Sequence, residues 1–238
     1  MKQKTRLILR IISVILLVSG IGVIIYPHIM QSIYDKQAES DYEEFIAQTE
    51  ETVIIDDSPG TDFPHSDLYN AMVAYNEKIF AEGQVNLTDP WSYEQASFNL
   101  DEYGFDENVI GYISIPKIDV LLPIYLGASN ENMQKGATHL SQTSLPIGGE
   151  NTNSVICGHR GYWGAKMFKH LVDLEPGDEV IVTNLWHSMT YIVAETTTIR
   201  DNELDNLKIQ SGKDMLTLFT CYYQSGRKDR FVVFCERS

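Results

Sequence analysis

Asp214-Met215-Leu216-Thr217-Leu218-Phe219-Thr220-Cys221 is the stretch on which the reading of this chain turns. Its alternation sets Met215, Thr217, Phe219 and Cys221 on one face of a β-strand. The polar run Tyr222–Asp229 follows, so the strand is expected to end at Cys221 and leave the thiol at a rim rather than in mid-core. Arg230 lies nine positions beyond the cysteine and is expected to open the next strand. A hairpin through the intervening loop would return its guanidinium to the thiol.

Further upstream, Cys157-Gly158-His159-Arg160-Gly161 supplies an imidazole directly after another short apolar strand. A thiol attacks a peptide carbonyl as thiolate, so it needs a cationic neighbour or a polarised site. An imidazole can protonate a leaving amine and deprotonate an incoming one, and a guanidinium can hold a developing oxyanion. Singly, each residue has a plainer account: a buried structural thiol, a surface histidine, a solvated arginine at a strand start. Together, Cys221, His159 and Arg230 are the parts required for acyl transfer through a thioester. Cys235 alternates with Phe231 and Val233 and reads as core. Cys157 shares a strand face with the position of His159, which leaves open an approach to the site and an oxidative link to Cys221.

Seven runs rich in β-branched and aromatic residues carry the strand signal: 111–118, 121–126, 154–158, 179–183, 189–199, 214–221 and 231–236. Short helical stretches are expected near 131–135 and 166–174. Close-spaced strands suggest a closed or nearly closed barrel. Residues 66–81 place Leu68, Ala71, Met72, Tyr75 and Ile79 at helical spacing, with Ser66 as cap. Residues 56–65 read as a linker by their Pro, Gly and Asp content.

The 238 residues are 43% hydrophobic and 21% charged, an ordinary globular balance. The formal net charge is −15; Lys2, Lys4, Arg6 and Arg10 give the first 26 residues +4 with no acid, so the remainder carries −19. That excess opposes nucleic-acid binding and lying flat on anionic lipid. Leu7–Tyr26 is an apolar run of spanning length, at a helical rise that covers roughly 30 Å. Val18-Ser19-Gly20 offers a small-residue cleavage site, but the apolar run continues past it, which favours an uncleaved anchor. The preceding cations put the N-terminus in the cytoplasm and the remainder outside. Three cysteines form no disulfide framework, and no histidine or cysteine pair has structural-zinc spacing. No phosphate-binding glycine loop is present.

Thr217-Leu218-x-Thr220-Cys221, with His159 before it and Arg230 after it, resembles the signature of the sortases, cysteine transpeptidases of Gram-positive cell surfaces. The likeness runs from about Gly111 to the C-terminus and takes in Gly111-Tyr112-Ile113-Ser114-Ile115-Pro116 and Leu145–Asn151. It implies a mainly β fold, the sortase eight-stranded barrel with short helices, preceded by N-terminal helices and a lid. The expected divisions are 1–26 cytoplasmic tip and anchor, 27–65 stalk and linker, 66–108 helix and lid, and 109–238 catalytic barrel.

The resemblance also implies catalytic roles for His159, Cys221 and Arg230, a substrate contact at Thr220, and no metal or organic cofactor. The implied partners are LPXTG-like sorting signals and an amine acceptor, either a pilin lysine or a peptidoglycan precursor. Asp89-Pro90-Trp91 is similar to the lid motif of class C, the pilin-polymerising branch; its plainer account is a helix start with Asp89 as cap and Pro90 behind it. Many class C members carry a second, C-terminal span, and here no second apolar stretch of spanning length occurs, which keeps wall anchoring as the alternative function. A non-catalytic surface binding module on the same fold is the alternative from another class.

Overall fold

A computed structural model of the chain describes residues 3–49, 63–89, 96–105, 108–162, 164–224 and 227–238. Its strands are β1 Val109–Ile115, β2 Val120–Leu126, β3 Ala137–His139, β4 Thr152–Gly158, β5 Glu179–Thr183, β6 Ser188–Arg200, β7 Asp214–Gln224 and β8 Arg227–Arg237. They close in the order β1-β2-β3-β4-β7-β8-β6-β5, and β5 pairs back onto β1. Closure leaves no strand edge exposed for unwanted pairing. The β2–β3 and β4–β7 ladders are parallel. Gly111 stands where β1 passes so close to β5 that a Cβ would collide with the Thr183 carbonyl oxygen.

The seven expected strands are all present, and β5 has the expected bounds. β3 has three residues, too few to show a period. The expected polar loop after Cys221 is instead strand: β7 continues to Gln224 and pairs residue for residue with β8 from Arg227. Cross-strand pairing therefore overrides the polar composition of Tyr222–Asp229. The expected helical stretch at 166–174 is a series of turns ending in one 3-10 turn, Leu171–Asp173.

β4 and β7 are buried on both faces. Leu216, Leu218 and Ile156 face the barrel interior with Ile113, Val182, Val233 and Cys235. Val155, Cys157 and Phe219 face outward into a second cluster with Met133, Leu140, Ile199, Leu207 and Val232. This two-sided burial is why 152–158 is buried without interruption.

Helix α1 covers Gln3–Thr49 and α2 covers Ser66–Glu82, while the short α3 covers Asn130–Lys135. Ser66 is the first residue of α2 rather than its cap; the cap position is His65, in the left-handed region, with no side-chain hydrogen bond. Leu68, Met72 and Ile79 bury the apolar stripe of α2. Asn76 fastens the helix to the β3–β4 connection, donating to the Leu145 carbonyl at 3.2 Å and accepting its N–H at 2.7 Å. α1 contains the apolar run and carries a second segment beyond it without a break. In that segment Tyr42 and Phe45 pack on Tyr112 of β1, with ring centroids 5.3 and 5.1 Å apart. Residues 50–62, including most of the expected linker, lie outside the described residues.

Candidate active site

The parallel register of β4 and β7 pairs Gly158 with Thr220. One step further along both chains stand His159 and Cys221. On the other side of β7, Cys221 is the register partner of Arg230. Directly opposed residues of an antiparallel pair project to the same face, and Arg230 Nη1 lies 3.8 Å from Cys221 Sγ. Arg230 and Cys221 thus meet side by side, and the β4–β7 register brings His159 to the same rim of the barrel.

Cys221 is partly exposed, whereas Cys157 and Cys235 are buried. Burial pushes the thiols of Cys157 and Cys235 up to about 12, which leaves both protonated and inert at neutral pH. Cys157 is hydrogen-bonded to Thr138 Oγ1 at 3.1 Å, in the outer cluster beneath the site. No disulfide joins any of the three cysteines, so the Cys157–Cys221 link is not formed.

Partial burial lowers the pKa of His159 and favours neutral imidazole. Its ring stacks on Tyr162 with centroids 5.2 Å apart and planes 14° from parallel. Its carbonyl accepts from the Phe168 N–H at 3.0 Å, and Tyr162 and Ala165 exchange two backbone hydrogen bonds that close the loop. Arg160 places its guanidinium over the Tyr222 ring at 5.1 Å, bridging the ends of β4 and β7. Thr220 is fully buried, and its hydroxyl donates to the Gly158 carbonyl at 2.8 Å. Its side chain therefore ties together the strands that carry His159 and Cys221.

Arg230 is 4% exposed. Asp89 meets it with both carboxylate oxygens: Nε donates at 3.0 Å and Nη2 at 3.1 Å. Burial disfavours the guanidinium cation, but the Asp89 hydrogen bonds and charge outweigh it and hold the pKa above its ordinary value. Asp89 arrives there by a sequence of anchors. α2 ends at Gly83 in the left-handed conformation, with the Gly83 and Gln84 N–H groups donating to Phe80 and Ile79 carbonyls. Gln84 then bridges two loops, donating to the Gln142 carbonyl at 2.8 Å and accepting from the Ile209 N–H at 2.7 Å. Leu87 packs into the outer cluster, and Asp89 follows two residues later. Pro90 and Trp91 lie outside the described residues. Gln84, Tyr162 and Arg160 had no sequence signal, since each acts through partners remote in the chain or through loop geometry.

A partly exposed thiol, an imidazole whose burial favours the neutral form and a buried guanidinium are the groups from which a thiol-dependent acyl-transfer site is built. The sortase-domain family model matches residues 113–238, more than half of the chain. The chain belongs to the sortase family, whose members are cysteine transpeptidases. It is 29% identical over 173 residues to sortase D of Bacillus subtilis, covering 71% of this chain and 82% of the relative. It is also 29% identical over 164 residues to sortase A of Listeria monocytogenes, covering 68% and 70%. Among solved structures, sortase C1 of GBS Pilus Island 1 superposes with a TM-score of 0.70 at 29% identity, over 84% of this chain and 91% of that one. Sortase C-1 of Actinomyces oris gives 0.64 at 31%, over 73% and 98%. Sortase C of Clostridium perfringens SM101 gives 0.64 at 30%, over 84% and 98%.

Proposed function

We propose that this sortase is a class C transpeptidase that joins pilin subunits outside the cell. The observation that carries the reading is the Asp89 carboxylate seated on Arg230 beside Cys221, because a lid over the thiol is the feature by which the chain resembles that class. Likeness to the sortase C structures supports it.

In this reading Cys221 passes its thiol proton to neutral His159, and Sγ attacks the carbonyl carbon of Thr in an LPXTG-like signal. The Thr–Gly C–N bond breaks, His159 gives its proton to the departing glycine amine, and the acyl group remains as a thioester on Cys221. A pilin lysine amine then attacks the thioester, returns a proton to His159 and releases the Cys221 thiolate. Arg230, once free of Asp89, donates to the oxyanion in both steps. Asp89, Pro90 and Trp91 gate entry. Thr220 contributes from beneath, by holding the His159 and Cys221 strands in register. The apolar helix anchors the enzyme in the membrane with its N-terminus in the cytoplasm.

Anchoring of surface proteins to peptidoglycan is the second reading, favoured by the comparable identity to sortases named A and D. Intact mass of the full chain in detergent micelles, incubated with an LPXTG peptide, tests the assignment. Wild type is compared with Asp89→Ala/Trp91→Ala. A peptide adduct on Cys221 that grows in the double variant supports the gated enzyme. Equal adducts point to wall anchoring, and no adduct in either overturns the proposed substrate.

A further inference from the structure

Helix α1 measures how far the barrel stands from the membrane. From Arg6 to Ile29 its residues are exposed, and its half-buried stripe begins at Met30 and Gln31. The stripe recurs at 34, 35, 38, 41, 42, 45 and 46, a helical period facing the barrel. Contact with the barrel thus starts four residues after the apolar run ends at Tyr26. At 1.5 Å per residue, Met30 stands about 6 Å beyond Tyr26, whereas the polar headgroup layer is roughly 5–8 Å deep on each side.

What touches α1 at that level is the loop that follows His159. Gly164 adopts φ +97 and lies so close that a Cβ there would be 2.9 Å from Met30 Cβ and 3.7 Å from Pro27 Cα. Two residues on, the Lys166 N–H donates to Gln31 Oε1 at 2.5 Å. The same loop has a distinct charge. Residues 151–172 contain no Asp or Glu but carry Arg160, Lys166 and Lys169, in a chain whose part beyond residue 26 bears −19. Lys166 pairs with Asp119 at 3.0 Å, while Arg160 and Lys169 are exposed. On α1 the first acid is Asp35, nine residues past Tyr26 and about 13 Å beyond it at the same rise. Acid-free segments of two separate elements therefore coincide at the end nearest the bilayer.

We propose that loop residues 160–162 and 164–169 form a membrane-contact surface that rests in the headgroup layer of an anionic bilayer beside α1. The inference rests on reading α1 as a membrane span. Each exposed cation near such a surface is attracted to it, and the acids elsewhere are repelled. The barrel is accordingly held by this one end instead of lying flat. Because His159 opens the loop, the thiol and its partners face the bilayer side, within reach of substrates that are themselves membrane-held.

The test is the depth of a nitroxide at position 169. Lys169→Cys is placed in a Cys221→Ala background, where Cys157 and Cys235 are buried, and the full chain is reconstituted in vesicles containing phosphatidylglycerol. Glu102→Cys serves as reference, because neighbouring Gly104 faces α1 at Asp41 and Glu44. Strong protection of the position-169 label from an aqueous nickel relaxant, with the reference label fully accessible, is expected. Equal access of both labels overturns the proposal. In a parallel measurement, Lys169→Glu should lower peptide turnover several-fold in those vesicles and leave it unchanged in neutral micelles. An equal loss in both media, or no loss in vesicles, would contradict the electrostatic contact. The depth reading needs no turnover, so failure of wild type to cleave the peptide would sink the substrate assignment and leave the membrane contact standing.

Discussion

Asp89 and Arg230, 141 positions apart in the chain, meet in a two-pronged ion pair with hydrogen bonds of 3.0 and 3.1 Å. The same guanidinium reaches Cys221 Sγ at 3.8 Å. One cation is thus shared between the nucleophile and an internal carboxylate, and a substrate carbonyl that needs Arg230 must displace Asp89. Removing that competition should speed the chemistry. Asp89→Ala is expected to raise the rate of Cys221 adduct formation with an LPXTG peptide by roughly tenfold, the equivalent of about 1.4 kcal/mol. Trp91→Ala is expected to raise labelling of Cys221 by small thiol reagents. Unchanged rates for both variants would show that this segment does not gate the site.

Arg230→Lys keeps the charge and loses the planar fork that holds Asp89 with two nitrogens while a third points at Cys221. Loss of one oxyanion donor costs on the order of 100-fold or more in turnover. Single-turnover acylation should fall by that amount, with folding judged unchanged by circular dichroism. Near-normal acylation would remove Arg230 from the chemistry.

His139 predicts how stability responds to acid. It is buried in β3, its Nε2–H donates to the Ser144 carbonyl at 3.0 Å, and Nδ1 has no hydrogen-bond partner among the described residues. Burial lowers its pKa to about 4 from 6.5. The unfolded chain therefore binds a proton first, so the contribution of neutral His139 is complete above pH 6.5 and fades as pH falls toward 4. The loss is on the order of 3 kcal/mol across that window. Urea unfolding of wild type and His139→Gln at pH 7 and pH 4.5 should show a shallower pH dependence in the variant; parallel curves would contradict the assignment.

Asn76→Ala should loosen α2 from the barrel. Both hydrogen bonds to Leu145 are lost, and its buried N–H is left unsatisfied, while its carbonyl keeps the Ile147 N–H at 2.8 Å. The expected cost is about 2–3 kcal/mol in chemical denaturation. A loss below about 0.5 kcal/mol would mean that water replaces the amide without penalty.

Much of this protein is written in local pattern. Alternation and β-branching mark seven of the eight strands, helical spacing marks α2, and the apolar run marks the membrane-length part of α1. Thr217–Cys221, His159 and Arg230 point to the family through residue types at set spacings, and the family model and barrel bear this out. These features are legible because backbone periodicity and motif chemistry depend on neighbours only a few residues away.

Other features depend on partners that no window of sequence contains. β3 is strand only because β2 and β4 flank it, and residues 222–224 and 227–229 are strand only because β7 and β8 hydrogen-bond across them. Thr220 shows an alternation that gives no hint of its bond to Gly158, since β4 is buried on both faces. The capping chemistry of Asp89 is local, but its place on Arg230 follows from Gln84 bridging two distant loops and Leu87 filling the outer cluster. Local preferences are worth tenths of a kcal/mol per residue, whereas burial and charge pairing across the fold are worth whole ones. Local pattern settles which elements and which chemistry this protein has; tertiary packing settles which side chains meet, because only there do the larger energies act.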